Sequence, residues 1–254
     1  MYSLLAFDLD DTLAPSKSPL PARMAAALRA LLDIRDVCVI SGGNFEQFEN
    51  QLLTGLDASP EELSRLHLMP TCGTRYMKYD AGAWAPVYVR DLTDEERSEA
   101  MVAVEEEARR LGLWESEVWG EILEDRGSQI TFSALGQQAP LEAKRAWDPT
   151  GEKKEKLRAA VAVRLPDLEV RSGGSTSVDI TRKGVDKAYG IAQLEIETGM
   201  PIDRMLFIGD RLDEGGNDYP VKRLGIDTHA VTGWEDTAAF VEEYVAGGRT
   251  ESHV

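Results

Sequence analysis

The chain has 254 residues, enough for one large domain or two modest ones, and its hydrophobic fraction of 43% supports a packed core. A formal charge of −17 argues against nucleic acid and against an anionic membrane surface as partners, since both select Lys and Arg. The two cysteines, Cys38 and Cys72, form neither a disulfide framework nor a zinc spacing.

No N-terminal signal pattern is present and no apolar run reaches the about 18–20 residues of a membrane span, so a cytoplasmic protein is the expectation. Residues 2–8 read as a buried strand. Pro15, Pro19 and Pro21 hold a loop open before a helix from Pro21 to Ile34, in which Met24, Leu28, Leu31 and Leu32 recur at helical spacing. Val37-Cys38-Val39-Ile40 is a second buried strand, and Asn44 caps a helix with Phe45, Phe48 and Leu52 on one face. This strand–helix alternation predicts a parallel sheet with ligands at its C-terminal strand ends.

Residues 67–89 read as short strands with a turn at Asp80-Ala81-Gly82. Thr93 and Glu96 form a capping box that opens a helix to Leu111. Strands at Gln129–Phe132, Leu168–Arg171 and Thr176–Thr181 and a helix over Lys153–Val163 then suggest an antiparallel sheet with helices on one face. The parallel pattern resumes with a helix from Gly184 to Thr198, a buried strand at Met205–Ile208, a last strand at Ile226–Val231 and a last helix at Glu235–Tyr244. Ala246–Val254 is expected to fray. The predicted fold is a Rossmann-like, three-layer α/β core built from residues 1–86 and 186–254, with an α+β domain inserted at 87–185.

The run Phe7-Asp8-Leu9-Asp10-Asp11-Thr12-Leu13 carries the strongest chemical signal. Two carboxylates one residue apart at the end of a buried strand are costly to hold together unless a cation or a reaction requires them. An Asp nucleophile attacking a phosphate ester needs a cation and a Lys to offset Coulomb repulsion, and a second carboxyl to protonate the leaving alcohol and later activate water. Candidates for each part follow in order along the chain. Asp8 and Asp10 are nucleophile and acid–base group, Thr12 shapes the loop, and Ser41 offers a hydroxyl to a phosphoryl oxygen. Lys187 opens a helix, where the dipole also favours an anion, with Lys183 as its rival. Asp210 and Asp218 follow the strand Met205–Ile208, and their hard oxygens suit Mg2+. His67, His229 and His253 lack metal-like spacing, and the five tryptophans read as packing anchors.

In this order the motifs Asp8-Leu9-Asp10-Asp11-Thr12, Ser41, Lys187 and Gly209-Asp210 through Asn217-Asp218 resemble those of the haloacid dehalogenase superfamily of phosphatases and phosphomutases. The resemblance spans the chain and implies a type IIB cap as the inserted domain. It also implies Mg2+ held by Asp8, the carbonyl of Asp10, and Asp210, with Asp218 beside it. A narrower similarity, to eukaryotic-type phosphomannomutases, is visible in Ser41-Gly42-Gly43-Asn44-Phe45-Glu46-Gln47, in Gly173-Gly174-Ser175-Thr176-Ser177-Val178-Asp179, and in the run from Gly209 to Asp218. It implies that Ser177 and Asp179 bind sugar hydroxyls and that Arg126 helps hold a distal phosphate. Thr12, Ser41, Gly42 and Asn217 complete the implied substrate site. Related mutases are often cap-linked dimers, which raises a homodimer here.

The chain departs from that pattern in two places. Asp11 stands where Gly is usual, although Asp tolerates left-handed backbone. Several cap arginines are replaced in Phe132–Pro140 by residues such as Ser133, Gln137 and Gln138. Gln cannot replace the charge with which Arg pairs phosphate, so the expectation is a Mg2+-dependent hydrolase of a sugar monophosphate. The alternatives are a phosphohexomutase acting on mannose phosphates and, from another class, a non-catalytic phosphate- or metal-binding regulator. The intact set Asp8, Asp10, Lys187 and Asp210 argues against the last. A dinucleotide fold fails because no Gly-x-Gly-x-x-Gly follows the first strand.

Overall fold

A computed structural model describes residues 2–173 and 176–251. The chain divides into two compact units, one made of Met1–Val89 with Val185–Val254 and the other of Arg90–Gly184.

In the first unit, strands β1 (Leu4–Phe7), β2 (Asp36–Ile40), β3 (Leu66–Met69), β4 (Arg75–Asp80) and β5 (Ala83–Val89) are joined by two strands from the far end of the chain. In the second unit lie β6 (Leu123–Asp125), β7 (Gln129–Ser133), β8 (Leu168–Ser172) and β9 (Ser177–Arg182), and the returning strands are β10 (Met205–Gly209) and β11 (Asp227–Ala230). The first sheet runs β11-β10-β1-β2-β3-β4-β5, parallel from β11 to β3 and antiparallel thereafter. β1 is central because all four of its residues, Leu4-Leu5-Ala6-Phe7, are fully buried. Such a run belongs where both sheet faces are covered. Helices Ala22–Leu32 and Trp234–Glu251 cover one face through Met24, Leu28, Leu31, Ala238 and Val241. Helix Lys187–Thr198 covers the other through Ile191 and Leu194. The chain order reverses between β1 and β10, so their C-terminal ends flank the crevice where open α/β sheets bind ligands.

The second unit is a four-stranded antiparallel sheet, β6-β7-β9-β8. Ile130, Phe132, Val178 and Ile180 pack on helices Asp94–Arg110 and Glu152–Arg164. The alternate residues of β7 and β9 form a polar face. The capping box is present as expected, with Thr93 Oγ1 accepting from Glu96 N at 3.1 Å.

Several sequence expectations need correction. The last helix spans Trp234–Glu251, past the Tyr244 end and into the stretch expected to fray from Ala246, and Val245 extends its buried face beyond Val241. Residues 252–254, like Gly174 and Ser175 of the quoted motif, lie outside the described residues. Helix 187–198 starts three residues later than expected, where the Asp186 side chain accepts from Tyr189 N at 3.0 Å. Strand β6 and helix Leu141–Trp147 gave no clear period and were missed. Among the described residues, no helix is long and apolar enough to cross a membrane.

One buried polar pair makes stability depend on acid. His67 on β3 has Nδ1 2.7 Å from the Tyr76 hydroxyl on β4, with the two rings stacked. Burial, reinforced by the charge of Lys78, pushes the imidazole down from 6.5 to about 3. The folded chain therefore keeps His67 neutral, whereas the unfolded chain takes up a proton below 6.5. Its contribution is complete above that pH and is lost as pH falls through the window down to about 3. Urea midpoints should show this group removing about 2 kcal/mol between pH 7 and pH 5, a slope that His67→Phe eliminates. Equal slopes in the two proteins would refute the assignment.

Candidate active site

Three adjacent parallel strands deliver the central residues. Asp8 follows β1, Asp210 follows β10 and Ser41 follows β2, so all three emerge at the same sheet edge. Asp8 is anchored by its backbone, with Asp8 N donating to Ile208 O at 3.0 Å, and its Oδ1 accepts from Leu9 N at 2.7 Å.

Lys187 reaches this edge from the helix it opens. Its Nζ lies 2.6 Å from Asp8 Oδ1 and donates to Asp218 Oδ1 at 2.6 Å, and all three side chains are almost fully buried. Gly190 explains the close approach of this helix. A Cβ there would meet Ile40 Cδ1 at 2.3 Å and the Cys72 carbonyl oxygen at 2.8 Å. The rival Lys183 is exposed and lies in the second unit.

Asp8, Asp210 and Asp218 each offer an oxygen within 4.8 Å of the others. Three carboxylates facing one ammonium leave negative charge unbalanced. The cost appears in Asp8, raised to about 7 mainly by burial, with Lys187 opposing and Asp218 adding to the rise. Asp210 is raised as well, first by burial and then by Asp218, although Thr12 Oγ1 donates to its Oδ1 at 3.2 Å. Burial works against the charge on Lys187, but Asp8 and Asp218 outweigh it and its pKa rises. Hard oxygens, tight spacing and excess negative charge fit a divalent cation such as Mg2+. Asp218, expected beside the metal, is bonded through one oxygen to Lys187 and through the other to Arg211 N at 3.1 Å, so it serves the lysine first.

The remaining core residues are placed as follows. Ser41 is buried and its Oγ accepts from Gly43 N at 3.2 Å, next to half-buried Gly42. Thr71 N donates to Gly43 O and Cys72 N to Ser41 O, both at 2.8 Å, so the turn after β3 braces the Ser41 loop. Asp11 has φ +60°, the left-handed conformation expected for a position where Gly is usual, and its Oδ1 accepts from Ser16 N at 3.0 Å. Asp10 is half-buried in the same loop and Asn217 is exposed.

In the second unit, Asp179 Oδ1 accepts from Gln129 Nε2 at 2.9 Å and Thr131 Oγ1 at 2.8 Å, and the Ser177 and Ser133 hydroxyls lie 3.0 Å apart. Burial raises the Asp179 pKa, with Arg126 opposing. Arg126 itself pairs with Glu124 at 2.8 Å.

The model of the eukaryotic phosphomannomutase family matches residues 116–246, just over half of the chain. The chain belongs to that family. It is 25% identical over 240 residues to a phosphomannomutase of Encephalitozoon cuniculi, covering 86% of this chain and 84% of the relative. A Schizosaccharomyces pombe phosphomannomutase is 24% identical over 247 residues, 93% of this chain and 92% of its own. A haloacid dehalogenase-like hydrolase from Bacteroides thetaiotaomicron superposes with a TM-score of 0.65 at 17% identity, covering 96% of this chain and all of that one. That superposition shows a fold shared over nearly the whole chain.

In this phosphomannomutase-family chain, sequence reasoning missed four polar residues. Gln129 and Thr131 hold Asp179, and Gln47 and Gln51 both donate to the Asp10 carboxylate. The available signal was spacing: Gln129 and Thr131 alternate along a strand, and Gln47 and Gln51 are four apart behind the Asn44 cap.

Proposed function

We propose that the chain transfers phosphoryl groups on hexose phosphates through a phosphorylated Asp8, and that it acts as a phosphohexomutase of the mannose type. The chemistry rests on the convergence of Asp8, Lys187, Asp210 and Asp218 at one sheet edge. The mutase reading is supported by family membership and by relatives bearing that name over most of their length. This reverses the hydrolase preference drawn from the cap arginines.

In the first half-reaction an Asp8 carboxylate oxygen attacks phosphorus and forms a P–O bond. The bond from phosphorus to the sugar oxygen breaks, its electron pair stays on that oxygen, and Asp10 supplies the proton. In the second half-reaction Asp10 takes the proton from an incoming hydroxyl, whose oxygen bonds to phosphorus as the bond to Asp8 breaks. A hydrolase uses water as the acceptor; a mutase starts from phosphorylated Asp8 and runs the halves in the other order, so that a free hydroxyl of a hexose monophosphate accepts the phosphoryl group to give a hexose bisphosphate, whose other phosphate then returns to Asp8. Lys187 neutralises charge beside Asp8, and the Ser41 hydroxyl and Gly42 loop receive a phosphoryl oxygen. Mg2+, held by Asp8, the Asp10 carbonyl and Asp210, would supply positive charge against the phosphoryl oxygens. Ser177 and Asp179 read sugar hydroxyls, and Arg126 meets the distal phosphate.

The hydrolase reading keeps one specific support. From Arg126 to Pro140 the only basic residue is Arg126, and it already pairs with Glu124. The deciding experiment supplies mannose 1-phosphate, Mg2+ and a hexose 1,6-bisphosphate primer, and follows isomerisation and phosphate release by phosphorus NMR. Isomerisation is expected to exceed release by about tenfold or more. Release without isomerisation would establish the hydrolase instead, and turnover of neither kind would refute the enzyme reading.

A further inference from the structure

The Asp10 carboxylate accepts three hydrogen bonds. Its Oδ2 accepts from Gln47 Nε2 at 3.1 Å, and its Oδ1 accepts from Gln51 Nε2 at 3.0 Å and from Lys17 N at 2.8 Å. Gln47 Nε2 also donates to Gln51 Oε1 at 3.0 Å, so the two amides support one another.

Local sequence builds this grip. Asn44 caps the helix Phe45–Phe48 by accepting from Gln47 N at 2.9 Å, and a π-helical turn over Glu49–Leu53 continues it. Buried Phe48 and Leu52 fix the segment, and Gln51 is itself 4% exposed. Gly43 leaves the necessary room, because a Cβ there would lie 2.1 Å from Gln47 Oε1.

We propose that Gln47 and Gln51 are positioning residues for proton transfer at Asp10, and that Oδ2 is the oxygen that carries the proton. The proposal rests on the reading of Asp10 as the acid–base group. A carboxylate oxygen accepts about two hydrogen bonds. Oδ1 has two donors and is filled, whereas Oδ2 has one from Gln47 and keeps a lone pair for the sugar oxygen. The amides neither gain nor lose the proton. They hold a loop carboxylate at a fixed place, where a displacement of about 1 Å can cost on the order of 100-fold in rate.

The test replaces each amide with a side chain of similar length that cannot donate, Gln47→Met and Gln51→Met. Single-turnover rates are compared for a hexose phosphate, whose alkoxide needs a proton to leave, and for acetyl and p-nitrophenyl phosphates, whose leaving groups do not. The hexose phosphate rate is expected to fall about 10- to 100-fold, with KM unchanged, while the other two rates stay within about threefold. Parallel loss on all substrates would mean that the residues merely support the loop, and would overturn the proposal, as would no loss on any. Asp10→Asn is measured alongside. If it shows no selective loss, the acid–base reading fails and the proposal with it; if it does and the Gln variants do not, only the proposal fails. Gln47 is half-buried, so its variant decides the matter if Gln51→Met does not fold.

Discussion

Asp8→Asn is expected to abolish turnover, by about 10⁴-fold or more, while leaving the fold intact. The amide is nearly isosteric with the carboxylate, but its oxygen cannot form a stable bond to phosphorus. It can still accept from Leu9 N, which donates to Asp8 Oδ1 at 2.7 Å in the parent chain. Stability should not fall, because the substitution removes one of the carboxylates that crowd a single lysine. Labelling with a phosphate donor, followed by hydroxylamine, checks the point directly. The parent should carry one hydroxylamine-labile phosphoryl group per chain and Asp8→Asn none. A variant that still becomes labelled would place the nucleophile elsewhere. A variant that loses labelling yet keeps a regulatory binding function would favour the non-catalytic reading.

The proposed nucleophile, Asp8, was legible in sequence because its signal is local. A fully apolar run ending in Asp8-Leu9-Asp10 states both the strand and its chemical edge. Ser41 and Asp210 were legible for the same reason, since each closes a buried strand. Lys187 needed more, because its role depends on which strand its helix packs against. Gly190 sets that approach, and a glycine within a helix does not announce its neighbour. For Gln47, Gln51, Gln129 and Thr131 spacing marks a shared face but not a role, because a neutral polar residue acquires its role only from the carboxylate that folding brings to it. The cap arginines taught the converse lesson. Their absence from Phe132–Pro140 is plain in sequence, but the consequence depends on how a second phosphate would be bound. The family match pulled that reading back towards a mutase.

Lys187→Met is expected to cost about 3–5 kcal/mol of stability and on the order of 10³ in rate. The side chains of Lys187, Asp8 and Asp218 are 1%, 4% and 0% exposed, so solvent cannot replace the missing ammonium. Removing one partner of a buried ion pair leaves the other charges uncompensated, which accounts for the stability loss. The rate loss follows because Lys187 offsets the repulsion between Asp8 and the incoming phosphate. Two further measurements separate charge balance from simple packing. Mg2+ at about 100-fold above its dissociation constant should return up to about 2.7 kcal/mol, since the proposed metal site draws on the same carboxylates and exists in the folded chain only. Lys187→Met combined with Asp218→Asn should recover part of the lost stability without recovering activity, because it removes one of the two carboxylate charges that the lysine leaves orphaned. If Lys187→Met unfolds at the parent's denaturant midpoint, or the double variant is no more stable than the single one, the buried lysine is not balancing these carboxylates and the electrostatic account of the site is wrong.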